Sequence, residues 1–230
     1  MHPRFSFLVT YYAHPELLRA CLDSIRRFHP EAPIVISQQA GDDPIPDALK
    51  PFTRISHDMS ANRWAAAAQG LMKACPTDIG VFLEHDCVLL KPADDLVAKL
   101  GAYNLIGVEE VIEKLRHSPG FAAQSFFILD VKRFLESYGI EAVCVSNPEA
   151  LGQLKNVESA YGITQHSERI LFLPVIRSGY AWGTYYGDQV HHLWYGSYRK
   201  RLAEEYGGWL EHETKRFLAD YEAGLIGHGI

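Results

Sequence analysis

The sequence holds little of what would tie it to several large protein classes. Its four cysteines, Cys21, Cys75, Cys87 and Cys144, are widely spaced and form no Cys-x-x-Cys pair. They read as small buried hydrophobes in a reducing compartment rather than as a disulfide frame or a zinc site. No apolar run approaches the roughly 20 residues of a membrane span, and Met1-His2-Pro3-Arg4 is not followed by the apolar core of a signal peptide. A cytoplasmic protein without a transmembrane segment is the expectation. Positive charge is also short: 22 Lys and Arg against 28 Asp and Glu give a formal net charge of -6. That balance argues against general nucleic-acid binding or attachment to anionic membrane, although a local basic patch still suits phosphates. No long polar or Gly/Ser linker divides the chain, and 230 residues, 47% hydrophobic, suffice for one substantial core.

What is present is organised around one stretch, from Ile79 to Pro92. Ile79-Gly80-Val81-Phe82-Leu83 has the length and β-propensity of a strand buried on both faces. Glu84-His85-Asp86 follows it, and charged groups rarely sit unpaired inside a buried strand, so this triplet belongs where the strand opens into a crevice. Open α/β sheets bind ligands at such places. In an extended chain residues two apart share a face, so Glu84 and Asp86 converge while His85 points away. Two convergent oxygen donors suit Mg2+ or Mn2+, ions commonly held by one or two carboxylates plus the phosphates of a substrate.

The first ninety residues alternate strand and helix. Phe5 to Thr10 is a strand, and apolar residues at 17, 18, 21, 22, 25 and 28 trace a helix that His29-Pro30 ends. Pro33 to Ser37 and Phe52 to Ser56 are further strands, and Trp64 to Ala74 is an alanine-rich helix leading to Ile79. This alternation indicates a mostly parallel α/β sheet flanked by helices. Beyond Pro92 we expect a helix within 93–100, strands at 103–108 and 121–129, and a helix capped by Asp130 and ended near Gly139. A partly helical stretch at 147–166 and a strand at 170–176 follow. From Arg177 an aromatic, glycine-rich loop precedes a helical tail from Tyr198 to about Ala223, stopped by Gly224.

Taken in order, these pieces resemble the GT-A glycosyltransferases, especially the family 2 type. Thr10-Tyr11-Tyr12-Ala13-His14-Pro15-Glu16-Leu17-Leu18 stands where that family ends its first strand, and Glu84-His85-Asp86 matches its acid-x-Asp motif. The resemblance spans about residues 5 to 180. It implies one GT-A domain over 1–230, with a nucleotide-sugar-binding half at about 5–92, an acceptor-side half at 93–180, and a lid-like loop and C-terminal helix at 181–230. The family's base-reading aspartate on the second strand is replaced by Gln38, which still offers a donor and an acceptor to a base edge.

The resemblance further implies a metal-dependent glycosyltransferase using a UDP- or GDP-linked sugar, with Mn2+ or Mg2+ as cofactor. Asp86 would ligate the ion directly, and Glu84 would act through water or a ribose hydroxyl. His192, with His191 in reserve, would be the third ligand, because neighbours on an extended segment face opposite ways. Thr10, Tyr11, Tyr12, Gln38, Asn62, Arg63 and His85 would face the nucleotide sugar. Gln124, Trp194 and Tyr195 would serve the acceptor or a lid spanning 179–187. An inverting reaction needs a carboxylate to take the acceptor's proton; Glu158 is the choice, ahead of Asp188 and Glu110. Lys91, Arg177, Arg199 and Lys200 are further cations suited to phosphate. Two other readings remain: a non-catalytic GT-A-like nucleotide- or sugar-binding module, and a nucleotidyltransferase, which would need a Gly-rich basic loop that Tyr11-Tyr12-Ala13-His14 does not supply.

Overall fold

A computed structural model of the chain describes residues 4–12, 14–39, 44–57, 63–100, 105–110, 121–138, 182–185, 189–193 and 199–226. Strand β1 (Ser6–Tyr11) is followed by helix α1 (Pro15–Phe28), β2 (Ile34–Gln39), β3 (Thr53–His57), α2 (Arg63–Ala74) and β4 (Ile79–Glu84). After β5 (Cys87–Leu89) come α3 (Asp94–Lys99), β6 (Leu105–Glu110), β7 (Phe121–Asp130), α4 (Val131–Tyr138), β8 (Trp182–Tyr185), β9 (Val190–His192) and α5 (Arg199–Glu222).

Seven strands form one sheet in the order β3-β2-β1-β4-β7-β6-β8, and β5 and β9 pair separately. Strands β1 to β4 are parallel, as short strand-helix-strand units require. Only β7 in this sheet opposes its neighbours, pairing antiparallel with both β4 and β6, while β8 lies parallel to β6. The fold is therefore α/β with a mostly parallel central sheet flanked by helices.

Both faces of the sheet are covered, which is why its central strands read as unbroken apolar runs. Alternation along β1 sends Phe7, Val9 and Tyr11 to one face, where they pack with Leu18, Leu22 and Ile25 of α1. Leu8 goes to the other face, joining Leu71 and Met72 of α2 and Phe134 of α4. There Phe82 and Phe127 stack across β4 and β7 with ring centroids 4.3 Å apart. Gly80 suits this packing, since a Cβ on it would lie 2.6 Å from Leu8 Cδ1 and 3.0 Å from Val131 Cγ2 and those side chains would have to shift.

Local signals place the ends of several elements. Pro15 opens α1, where its missing N–H is not needed. The Asp130 carboxylate accepts the Arg133 N–H at 2.9 Å, the cap expected for α4. Beyond α5, Gly224 takes φ 74, a left-handed value that glycine accommodates and that ends the helix.

Two expectations need correction. Trp182–Tyr185, read as part of a mobile loop, is strand β8 on the main sheet. Pairing with the open edge of β6 outweighs the local glycine content. The chain at His85-Asp86 is a turn rather than a continuing strand. The expected helical stretch at 147–166, the strand at 170–176 and the remainder of the aromatic loop apart from 189–193 lie outside the described residues.

Candidate active site

The site is assembled at the C-terminal edge of the parallel strands. Register places Thr10 beside both Ser37 and Glu84, and Tyr11 beside Gln38, so the ends of β1, β2 and β4 lie side by side. The His85 N–H donates to Thr10 O at 3.0 Å, prolonging the β1–β4 contact into the turn. That turn carries Asp86 back toward Glu84 and starts β5.

The small β5–β9 ladder delivers the third member from more than a hundred residues away. Cys87 opposes His192, Val88 opposes His191 and Leu89 opposes Val190. The Leu193 N–H donates to Asp86 O at 3.0 Å, and the Leu90 N–H to Gln189 O at 2.8 Å, extending the ladder at both ends. Gln189, buried, donates through Nε2 to the carbonyls of Lys91 and Pro92 at 2.7 and 2.9 Å. From the helix side Ser24 Oγ accepts the Leu89 N–H at 3.0 Å and donates to Cys21 O at 2.6 Å. Helices α1 and α5 hold the outside of β5, with Leu17, Ala20, Val88, Phe217 and Tyr221 in one cluster.

As a result, His192 Nε2 lies 3.4 Å from Glu84 Oε2 and 3.5 Å from Asp86 Oδ1. The Asp86 side chain is 1% exposed, Glu84 11% and His192 16%. Burial favours neutral imidazole, but the two carboxylates outweigh it and raise His192 to about 10. Burial would likewise raise Asp86, yet the His192 imidazolium pulls it below the ordinary carboxylate range.

This convergence suits a divalent cation. The contacts exceed the 2.7–2.9 Å or so of a charge-assisted hydrogen bond, and the buried Asp86 Oδ1 has the His192 ion pair at 3.5 Å with no shorter hydrogen bond. A shared cation would satisfy that oxygen, and two carboxylates with an imidazole form a donor set suited to Mn2+ and, more weakly, Mg2+. Asp86, Cys87 and His192 each offer a ligand atom, all within 4.8 Å of one another.

The other expected residues fall as follows. His191 turns away from the carboxylates and stacks on Phe217 at 5.6 Å, so of the pair it is His192 that the ladder carries to the site. His85 is wholly buried, edge-on to Tyr11 at 5.7 Å and parallel to His14 at 6.4 Å. Burial chiefly lowers it to about 4, which keeps it neutral. Tyr11 and Gln38 are buried at the strand ends, and Tyr12 is half-buried beside them. Arg63 begins α2, Glu110 ends β6 and Gln124 lies in β7, while Arg199 and Lys200 begin α5. Asn62, Glu158, Arg177, Asp188, Trp194 and Tyr195 lie outside the described residues. Sequence reasoning missed Cys87 and Gln189. Adjacency to the acidic motif was an available signal for Cys87, whereas Gln189 carried none.

A mostly parallel sheet with one reversed strand and a carboxylate cluster at the end of its fourth strand defines the GT-A fold class, and this chain has that fold. It superposes on mouse xyloside xylosyltransferase 1, apo form, at a TM-score of 0.51 and 12% identity, over 79% of this chain and 84% of that one. It also superposes on the galactosyltransferase LgtC in complex with donor and acceptor sugar analogs, at 0.50 and 13%, over 73% and 69%. The apo form of the glycosyltransferase GlyE from Streptococcus pneumoniae TIGR4 matches at 0.52 and 14%, over 94% of this chain but 51% of GlyE, so this chain spans about half of that protein. No protein-family model and no curated protein sequence matches the chain. Among the described residues no helix is long and apolar enough to cross a membrane.

Proposed function

We propose that this chain is a metal-dependent glycosyltransferase that moves a sugar from a UDP- or GDP-linked donor to an acceptor hydroxyl. The observation that carries the reading is that Glu84 and Asp86 each bring an oxygen within 3.5 Å of His192 Nε2 at the C-terminal edge of the parallel strands. Its fold neighbours include a galactosyltransferase and a xylosyltransferase, which supports the same class of chemistry.

In this reading Asp86 and His192 hold Mn2+ or Mg2+, and Glu84 acts through water or a ribose hydroxyl. The bound ion supplies Lewis-acid stabilisation of the charge that grows on the departing diphosphate. Asp86 is buried and anchored through its carbonyl to Leu193, which holds its carboxylate at the site. His85, kept neutral, adds no positive charge that would compete with the cation. Thr10, Tyr11, Tyr12, Gln38, Asn62 and Arg63 border the nucleotide sugar, and Glu158 takes the acceptor's proton in an inverting reaction. Residues of about 5–92 then form the nucleotide-sugar half and 93–180 the acceptor side of one domain. The segment 181–230 contributes the histidine strand, with Trp194 and Tyr195, together with Gln124, toward the acceptor.

A donor-hydrolysis screen over nucleotide sugars with Mn2+ tests this. Turnover of one donor that is lost in Asp86→Ala is expected, and turnover unchanged by that substitution removes the metal assignment. Metal-dependent nucleotide binding without turnover of any donor or acceptor would make the chain a binding module instead.

A further inference from the structure

Cys87 sits at this site, and the chemistry above makes no use of it. It follows Asp86 directly and is fully buried. Cys87 and His192 are direct partners in the antiparallel β5–β9 ladder, and directly opposed residues project to the same face of a sheet. The atoms reflect this: Cys87 Sγ lies within 4.8 Å of a ligand atom from both Asp86 and His192. Asp86 Oδ1, the buried oxygen in this group, faces His192 Nε2 at 3.5 Å and has no shorter hydrogen bond. Ligand atoms around a four-coordinate zinc ion lie about 3.5 Å apart, given metal bonds of about 2.0–2.3 Å. A contraction of roughly 1 Å therefore brings sulfur, nitrogen and oxygen to one ion.

We propose that Cys87 is a ligand of the cation, so that Asp86, Cys87 and His192 form a mixed oxygen, sulfur and nitrogen centre that favours Zn2+ and Co2+ over Mg2+. This rests on the metal reading above and changes its selectivity. As the sulfur–metal bond forms, the thiol proton leaves to solvent and the sulfur binds as thiolate; His192 likewise gives up its proton and binds through a ring nitrogen. No electron is transferred. A thiolate prefers borderline-soft ions, whereas carboxylates alone suit hard ones, and Mn2+ falls between. The thiol is buried beside the Glu84 backbone in the metal-free chain and becomes a ligand only when the ion arrives.

Cobalt titration of the metal-free full chain, followed by absorption, tests the proposal. A near-ultraviolet sulfur-to-cobalt charge-transfer band is expected in the wild type and in Cys21→Ser, which alters another buried cysteine. The band should be absent from Cys87→Ser. Zn2+ and Co2+ affinity should fall at least about tenfold in that variant, since even partners outside the coordination shell are worth that much, with a smaller loss for Mn2+. Should Cys87→Ser fail to fold, X-ray absorption at the zinc edge of the wild type decides, with one sulfur expected at about 2.3 Å. Cobalt bound without the band, or zinc surrounded only by nitrogen and oxygen, overturns the role of Cys87 and leaves the carboxylate–histidine site standing. Failure of any divalent ion to bind overturns both.

Discussion

Truncating His192 to Ala removes the imidazolium that lies between two buried carboxylates. Each carboxylate has an oxygen within 3.5 Å of the same nitrogen. With the imidazolium gone, the two anions lie at most about 7 Å apart and repel by about 2 kcal/mol at an effective dielectric of 20. Breaking a buried ion pair by deleting one partner costs about 3 to 5 kcal/mol in general. Proton uptake by one carboxylate costs about 5 kcal/mol at pH 8 and about 1.6 kcal/mol at pH 5.5 from an ordinary pKa of about 4.3, so the lower ion-pair figure of about 3 kcal/mol stands at pH 8. For a chain of this size that corresponds to a Tm lowered by roughly 6 to 12 °C at pH 8.

The wild type also gains stability as pH falls, through His192 itself. His192 is raised from 6.5 to about 10 in the folded chain, so its contribution is complete below pH 6.5 and is lost as pH rises through 10. The variant lacks this contribution, and any stability it gains as pH falls comes from proton uptake by Glu84 or Asp86. Calorimetric melting in chelator at both pH values measures this, with His191→Ala as the control on the opposite face of β9. A Tm for His192→Ala equal to wild type at both pH values refutes the ion-pair geometry.

Two further outcomes test the fold around the site. Gly80→Ala should lower stability by about 1 to 2 kcal/mol, overpacking against Leu8 and Val131 being offset only in part by the entropy gained on removing glycine; urea unfolding should show a lower midpoint at unchanged slope. His29 Nε2 accepts the Ala93 N–H at 3.0 Å, and burial holds this histidine below its usual 6.5, an effect that Asp94 only partly offsets. The unfolded chain therefore takes up the proton first, and stability should fall as pH drops below 6.5; His29→Gln should flatten that dependence, and an identical pH profile in the variant would show the coupling to be absent.

Much of the framework was legible because its causes are local. The apolar runs at 5–10 and 79–83, the stripe along α1 and the Asp130 cap all follow from side chains within a few positions of one another. The reversal of β7 was not legible, because a run buried on both faces looks alike in either direction. The Trp182–Tyr185 strand was missed since its pairing partner, β6, lies some eighty residues earlier in the sequence. Glu84 and Asp86 were singled out by extended-chain parity, yet a turn at His85-Asp86 and the β5–β9 ladder are what bring them to His192. Parity also separated His191 from His192 without saying which would turn inward. That choice depends on the pairing of Cys87 with His192, a contact across 105 positions that no local pattern encodes.

The most direct measurement is calorimetric titration of UDP and of GDP into the chain, with Mn2+ and then with chelator. A cation seated between Asp86 and His192 requires that one of the two nucleotides bind only when the metal is present, and that Asp86→Ala and His192→Ala abolish this binding. Nucleotide binding of equal strength in chelator and in Asp86→Ala would contradict it.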